Sequence, residues 1–186
     1  MVLDRAMGVF WASGFEGTSI PILTAAMGIS AQSLYAAFGS KDALYREAIG
    51  RYRETIGAFA DRALDDGAHA LDAIATLLRE SAVLFSRMAD TPGCMVTTAP
   101  ADVVENSLTL FGRELRAEGV RKLADRLERG VYDGQLCPDT DSAAWARYVS
   151  SVLQGMSVQA RDRAPTAMLL TTAEIAIRSL GILRLE

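Results

Sequence analysis

The segment from Gly14 to Lys41, GFEGTSIPILTAAMGISAQSLYAAFGSK, constrains the fold of this chain more than any other part. It predicts two short helices joined by a tight turn. The hydroxyl groups of Thr18 and Ser19 are suited to capping the N-terminus of the first helix. Gly28 stands where the chain must reverse, because glycine takes a positive φ at little cost, and Ser30 is placed to cap the second helix.

The second helix, at about residues 31–38, carries few residues that a core would need. Leu34 and Phe38 are four residues apart and are predicted to point inward. The side chains that remain outside are small, and a protruding helix of this kind suits a DNA groove. These side chains belong to Gln32, Ser33, Ala36 and Ala37. A helical hairpin that never touches DNA is the alternative interpretation of the same pattern.

Four short motifs in this region resemble the helix-turn-helix of the TetR family of bacterial transcriptional regulators. They are GFEGTS at 14–19, AAMGIS at 25–30, LYAAF at 34–38 and KDAL at 41–44. The resemblance covers about fifty N-terminal residues and implies an all-α fold of about nine helices. It also implies a three-helix DNA-binding domain over residues 1–47, followed by a ligand-binding and dimerisation domain over residues 48–186.

Roles within the DNA-binding module follow from side-chain chemistry and from the matching positions. Hydroxyl or ammonium groups at helix N-termini can hold phosphate, and the resemblance assigns a phosphate contact to Tyr35, with packing against the first helix as its alternative role. Gln32 can pair with an adenine edge, and Ala36 can offer only a methyl contact to thymine. The predicted DNA-binding residues are Thr18, Ser19, Ser30, Gln32, Ser33, Tyr35, Ala36 and Lys41.

The charge balance is unusual for a DNA-binding chain, since 19 basic and 23 acidic residues give a net charge of −4 over 186 residues. The N-terminal 60 residues hold equal numbers of each sign, so the predicted DNA-binding module is neutral. TetR-like proteins commonly carry a basic arm ahead of the first helix, which leaves open whether this chain begins short of its natural start. Asp4 and Arg5 stand where a signal peptide would become apolar, so a cytoplasmic protein is expected.

Helical spacing continues throughout the chain, and half of its residues are hydrophobic. No run of alternating β-branched residues predicts a strand. Helices are expected at about residues 2–13, 20–27, 31–38, 41 to the low sixties, 68–89, 94–104 with an interruption at Pro100, 107–131, 143–160 and 166–183, the last with Pro165 at its first position.

The last two helices have almost no charged residues, since 143–160 contains only Arg147 and 166–183 contains only Glu174 and Arg178. Helices that are apolar nearly all round must be buried nearly all round, which favours packing against a second copy. TetR-like proteins dimerise through these two helices. A central hairpin buried within one subunit is the alternative. The predicted seam residues are Trp145, Val149, Val152, Met156, Ile175 and Leu180.

Catalysis has little support, because the single histidine, His69, has no partner at ligand or triad spacing and is expected to be solvated. No enzyme activity, metal or cofactor is predicted. The resemblance implies a ligand pocket between the fifth and eighth helices, although each residue is equally well explained as core. The candidates are Leu78, Phe85, Met88, Met95, Thr98, Phe111, Tyr148 and Gln154. Cys94 is either a thiol that senses electrophiles or oxidants, or an inert buried cysteine; with Cys137 it forms no disulfide framework.

The sequence therefore predicts a homodimeric transcriptional regulator that binds a palindromic double-stranded DNA operator and is released from it by a small-molecule inducer. A helical ligand-binding protein or enzyme with a vestigial helix-turn-helix is the alternative. A regulator with a filled core and no ligand is a further one.

Overall fold

A computed structural model describes residues 2–66, 69–87, 90–101 and 104–185. These residues form nine α-helices and no β-strand, apart from a single antiparallel bridge between Leu136 and Arg184. The helices are α1 (Val2–Ser13), α2 (Ile20–Met27), α3 (Ala31–Phe38), α4 (Lys41–Glu54), α5 (Phe59–Asp66), α6 (Ala70–Arg87), α7 (Ser107–Tyr132), α8 (Ser142–Arg161) and α9 (Thr166–Leu180). The predicted all-α fold is confirmed.

The helices belong to two compact units. The first comprises Met1–Ala58 and Cys94–Arg113, and the second comprises Phe59–Gly93 and Glu114–Glu186. In the first unit α1 packs along α4 and α2, and its apolar face is buried. The buried residues of α1 are Ala6, Met7, Phe10 and Trp11. A division of the chain at residues 47 and 48 stays a prediction.

The predicted long helix from Lys41 into the low sixties is wrong, because α4 ends at Glu54. The Thr55 hydroxyl donates to the Arg51 carbonyl at 2.6 Å, and the Thr55 amide donates to both Arg51 and Tyr52. A 3-10 turn at Ile56–Ala58 follows, and α5 then begins at Phe59. A hydroxyl that competes for backbone carbonyl groups, followed by a glycine, ends the helix one or two turns before the predicted stop.

The short helix predicted from Cys94 onward is also absent over the described residues 94–101. The chain makes hydrogen-bonded turns there, in which the Thr98 amide donates to the Cys94 carbonyl at 3.1 Å and the Ala99 amide donates to Val96 at 3.3 Å. Pro100 cannot donate a backbone hydrogen bond, so the turns do not continue as a helix. The described residues still form nine helices, because the predicted fourth helix is divided into α4 and α5 while the helix predicted from Cys94 is absent.

In the second unit α6 packs against α5, α8 and α9, and α8 packs against α9. Leu71, Ile74, Leu77, Leu78 and Phe85 of α6 are buried, and Val83 is half-buried. Arg79 donates two hydrogen bonds to Glu174, at 2.6 and 3.0 Å, which joins α6 to α9. The hydrogen bond from Arg79 lowers the pKa of Glu174 below its ordinary value.

The ends of α8 and α9 follow their capping residues closely. Asp141 caps α8, since its carboxylate accepts from the Ala144 amide at 2.9 Å. Pro165 is the N-cap of α9, whereas the sequence predicts it at the first position of the helix. By length and composition alone the segment Thr166–Leu183 could cross a membrane, with a mean hydropathy of 1.4; its helix packs along α6 and α8.

Candidate DNA-binding site

Helices α2 and α3 form the predicted pair across a tight turn, and their axes bend by 93°. Gly28 takes φ 71°, the left-handed conformation, and its amide donates to the Thr24 carbonyl at 2.9 Å. Ser19 caps α2 through the Ile22 amide at 3.4 Å, and Ser30 caps α3 through the Ser33 amide at 3.0 Å. Each local element of the turn lies where the sequence predicts it.

The short helix α3 presents its polar side outward. Leu34 is its one fully buried residue, and Phe38 is half-buried. Tyr35 is 49% exposed, which leaves its hydroxyl accessible and excludes a role as a core residue. The other exposed residues of this surface are Gln32, Ser33, Ala36 and Ala37, and the Ser33 hydroxyl shares a 2.9 Å hydrogen bond with that of Ser30.

An aromatic cluster supports the turn from behind. The ring of Tyr45 on α4 meets Phe10 edge-on at 5.0 Å and Phe15 at 5.2 Å. The Lys41 ammonium group lies 4.0 Å from the centre of the Phe15 ring, a cation–π contact at the N-terminus of α4. This contact holds Lys41, the one cation among the predicted DNA-binding residues, beside the free amide groups at the start of a helix. An anion is favoured at that place.

Thr18 does not fit its predicted role as a phosphate contact. Its side chain is buried, and its hydroxyl donates to the Gly14 carbonyl at 2.7 Å. The hydroxyl therefore fixes the turn between α1 and α2 and cannot reach a ligand. Ser19, which is exposed at the N-cap of α2, remains available for a phosphate contact.

Two cations of the first unit are engaged by other groups of that unit. Arg51 pairs with Asp4 at 2.7 Å, and Arg46 donates to the Ser107 carbonyl at 2.6 Å while lying over the Phe111 ring. Arg5 is different and was missed by the sequence reasoning. It is exposed, and its Nη1 lies 3.5 Å from the Ala26 carbonyl at the end of α2. Its position on α1 gave no signal, since only the packing of α1 on α2 brings it to the turn.

The apolar side chains of α8 and α9 divide between the core and the surface. Val149, Met156 and Leu180, all predicted seam residues, are fully buried by their own unit. They belong to the core, since a side chain with no exposed area has none to offer a partner. Trp145 and Val152 are half-buried and Ile175 is 54% exposed.

We call the exposed surface the outer face of α8 and α9. Met168, 58% exposed, and Tyr148 extend it, and the Tyr148 hydroxyl accepts from Ser179 on α9 at 3.0 Å. Spacings of three and four residues place Trp145, Tyr148 and Val152 on one side of α8, and a spacing of seven residues places Met168 and Ile175 on one side of α9. The outer face consists of Trp145, Tyr148, Val152, Met168 and Ile175.

The predicted ligand-binding residues separate into groups. Leu78 and Phe85 are buried in the core of the second unit, and Gln154 there donates to the Ser150 hydroxyl at 3.0 Å. Tyr148 lies on the outer face, so its predicted place on the wall of an interior cavity is wrong.

The other ligand-binding candidates that the structure describes belong to the first unit. Met95 is buried, and Thr98 and Phe111 are half-buried. Met88 lies outside the described residues. A surface groove of the second unit contains none of the candidates; it is lined by Asp61, Leu64, Asp65, Lys122, Asp125 and Arg129.

His69 is half-buried, and its Nδ1 accepts a hydrogen bond from the Leu71 amide at 3.2 Å. It therefore helps to start α6 while the ring stays partly exposed, so its solvation stays a prediction. Over the residues that the structure describes, no three His, Cys, Asp or Glu side chains are grouped closely enough to hold a metal ion.

The capped α2–α3 pair, its bend and the exposed surface of α3 define a helix-turn-helix DNA-binding protein. The sequence model of the bacterial regulatory proteins of the tetR family matches residues 2–48. The HTH-type transcriptional repressor ComR of Escherichia coli (strain K12) is 32% identical over 182 residues, which cover 95% of this chain and 85% of ComR. The chain belongs to the TetR family of transcriptional regulators.

Solved structures agree with this assignment. A cysteine mutant of the TetR family transcriptional regulator CifR, in complex with a 26 bp double-strand operator DNA, is 40% identical with a TM-score of 0.90, covering 96% of this chain and 94% of that one. AibR, solved with isovaleryl coenzyme A and operator DNA, shares the fold at 15% identity and a TM-score of 0.73, with 98% and 97% of the two chains covered.

Proposed function

We propose that this protein is a cytoplasmic transcriptional repressor that binds a palindromic operator as a homodimer and is released by a small-molecule inducer. The observation that carries the proposal is the exposed α3 surface on its capped and aromatic-supported turn. Relatives named as repressors, or solved on operator DNA, support the same function. No catalytic role is assigned.

Within the site, two groups of residues have different tasks. Ser19, Tyr35 and Lys41 contact phosphate and set the orientation of α3, because they surround it with hydroxyl groups and one cation. Gln32, Ser33 and Ala36 face the base edges, and Gln32 is the residue with the largest capacity to select a base pair. Ser30 acts by capping α3. Arg5 adds a cation beside the turn.

The homodimer is needed because one eight-residue helix reads only a half-site. Two copies of α3 enter successive major grooves when they lie about 34 Å apart, one turn of DNA. A ligand that binds the sensor part of the chain would change that separation and favour a state that no longer fits the operator. The outer face of α8 and α9 is the surface through which we expect the second copy to bind.

The experiment selects operator sequences from random double-stranded DNA with the purified full chain and measures affinity by fluorescence anisotropy at several salt concentrations. Lys41→Ala should weaken binding to all sequences and lower the salt slope by about 2 for the dimer, since each phosphate contact contributes about 0.9. Gln32→Ala should relax the preference at one base pair by about tenfold or more, because a bidentate base contact is worth about 1–3 kcal/mol.

Thr76→Ala, at an exposed position of α6, is the control and should change neither quantity. Selection of no sequence by the wild-type chain, or binding that ignores salt, would overturn the proposed function. A panel of small metabolites, added to the DNA complex, tests release; a regulator with a filled core would bind DNA and respond to none of them.

A further inference from the structure

Arg5 on α1 keeps an unbalanced positive charge in a DNA-binding module that is neutral overall. Its neighbour in the chain, Asp4, pairs with Arg51 on α4 at 2.7 Å and so does not neutralise it. Over the part of the first unit that the structure describes, no carboxylate forms an ion pair with Arg5, and the residue is exposed. A positive charge is therefore left where α1 packs on α2.

The guanidinium group of Arg5 lies at the turn between α2 and α3. Its Nη1 stands 3.5 Å from the Ala26 carbonyl oxygen and 3.5 Å from the place that a Cβ on Gly28 would occupy. A hydrogen bond of this length to a neutral carbonyl group is weak. A guanidinium group has five N–H donors in a planar fork, so this contact leaves most of them for an anion, to which the bonds are about twice as strong.

Lys41 is the corresponding cation at the other end of α3. Its ammonium group lies over the Phe15 ring and, among the described residues, in no ion pair. Gly28 precedes α3 by three residues, and Lys41 follows it by three. Because α3 has eight residues, it is about 12 Å long. Two charged groups at opposite ends of such a helix cannot bind the same phosphate.

We propose that Arg5 is a DNA-contacting residue that binds an operator phosphate at the turn end of α3, separate from the phosphate that Lys41 binds at the far end. This role rests on the proposed function, because it requires that α3 enters the major groove. The guanidinium fork binds two oxygens of one phosphate, while the Ala26 carbonyl fixes its orientation. With both ends of α3 anchored, Gln32 meets the same base pair in every complex.

A purely structural role is the competing explanation for the same contact. A basic side chain that bonds to the last carbonyl groups of a helix stabilises its C-terminus, and Ala26 is the next-to-last residue of α2. Loss of such a cap lowers the free energy of unfolding and weakens DNA binding by the same factor at every salt concentration. Loss of a phosphate contact changes the salt dependence itself, because fewer counterions are released.

The test compares wild type and Arg5→Gln on the selected operator by fluorescence anisotropy at several potassium chloride concentrations. Arg5→Gln should lower the salt slope by about 2 for the dimer and weaken binding by at least about tenfold at about 0.1 M salt. Combined with Lys41→Ala it should lower the slope by about 4, because the two contacts are independent. Arg5→Lys, which keeps the charge and loses the fork, should retain most of the slope. Arg62→Gln, at an exposed position of α5 in the second unit, is the matched control and should leave the slope unchanged.

A neutral methylphosphonate linkage, placed at each position of the operator half-site in turn, identifies the phosphates. One linkage should weaken binding of wild type by about tenfold and leave Arg5→Gln unaffected. A different linkage should show the same pattern with Lys41→Ala.

A slope for Arg5→Gln equal to that of wild type, or one linkage that accounts for both variants, would overturn the inference. Equal weakening at every salt concentration, with a lower free energy of unfolding in urea, would overturn it in favour of the cap alone. Failure of wild type to select any sequence would overturn the proposed function and this role with it. That outcome is told apart because the unmutated chain itself fails.

Discussion

The outer face of α8 and α9 permits a quantitative prediction about dimerisation through Ile175. This side chain is 54% exposed in one subunit. Complete burial of an aliphatic side chain is worth about 1.5–3 kcal/mol, so covering the exposed half stabilises a dimer by about 1 kcal/mol. A twofold axis presents the residue twice, which gives about 2 kcal/mol for Ile175→Ala, or roughly a 30-fold rise in the dissociation constant.

Sedimentation equilibrium over a range of protein concentrations measures this constant directly. Ile175→Asp should produce a larger effect and a monomer at micromolar concentration, because each interface would bury two carboxylates. Val104→Ala is the matched control, since Val104 is an even more exposed aliphatic residue that lies in the first unit, outside α8 and α9. Equal dissociation constants for wild type, Ile175→Ala and Val104→Ala would refute the assignment of the outer face.

Three further predictions concern stability, each measured by urea unfolding. Gly130→Ala should destabilise the fold, because the new Cβ would stand 2.6 Å from that of Ala70. Overpacking costs about 1–3 kcal/mol, which outweighs the roughly 1 kcal/mol gained from helix propensity. Gly119→Ala in the same helix should stabilise the fold, because its Cβ would meet nothing within 4 Å. A higher free energy of unfolding for both variants would contradict this prediction. Ser30→Ala should cost about 1 kcal/mol and Ser30→Asp should largely retain the cap; equal losses would exclude the capping role. The destabilisation caused by Glu174→Gln, present at pH 7, should be lost as the pH falls from the ordinary value of 4.5 through the lower pKa that Glu174 has in the folded state.

The helix-turn-helix could be predicted in detail because its determinants are local. Ser19, Gly28 and Ser30 act on backbone groups within four residues, so the caps and the left-handed turn follow from the sequence alone. The same reasoning failed at Thr18, where two adjacent hydroxyl residues both qualify as caps. Only the fold shows that one of them turns inward to the Gly14 carbonyl.

Predictions that needed tertiary information were less successful. In α8 and α9 the core and outer sides are both apolar, so no polar stripe distinguished Val149 from Val152. The end of α4 depends on whether the Thr55 hydroxyl bonds to its own helix, which spacing does not reveal. The environment of Tyr52 could not be predicted, because it is formed by Cys94 and Met95, more than forty positions along the chain.

The paired alanines on the exposed side of α3 have a consequence for operator choice. Ala36 and Ala37 offer no hydrogen-bonding group beyond the backbone, so few base edges can be distinguished by donors and acceptors alone. A methyl-sized surface instead lets the helix settle deep in the groove wherever the duplex bends or narrows to receive it. We therefore expect this regulator to distinguish its operators largely by the flexibility of base-pair steps that it never touches.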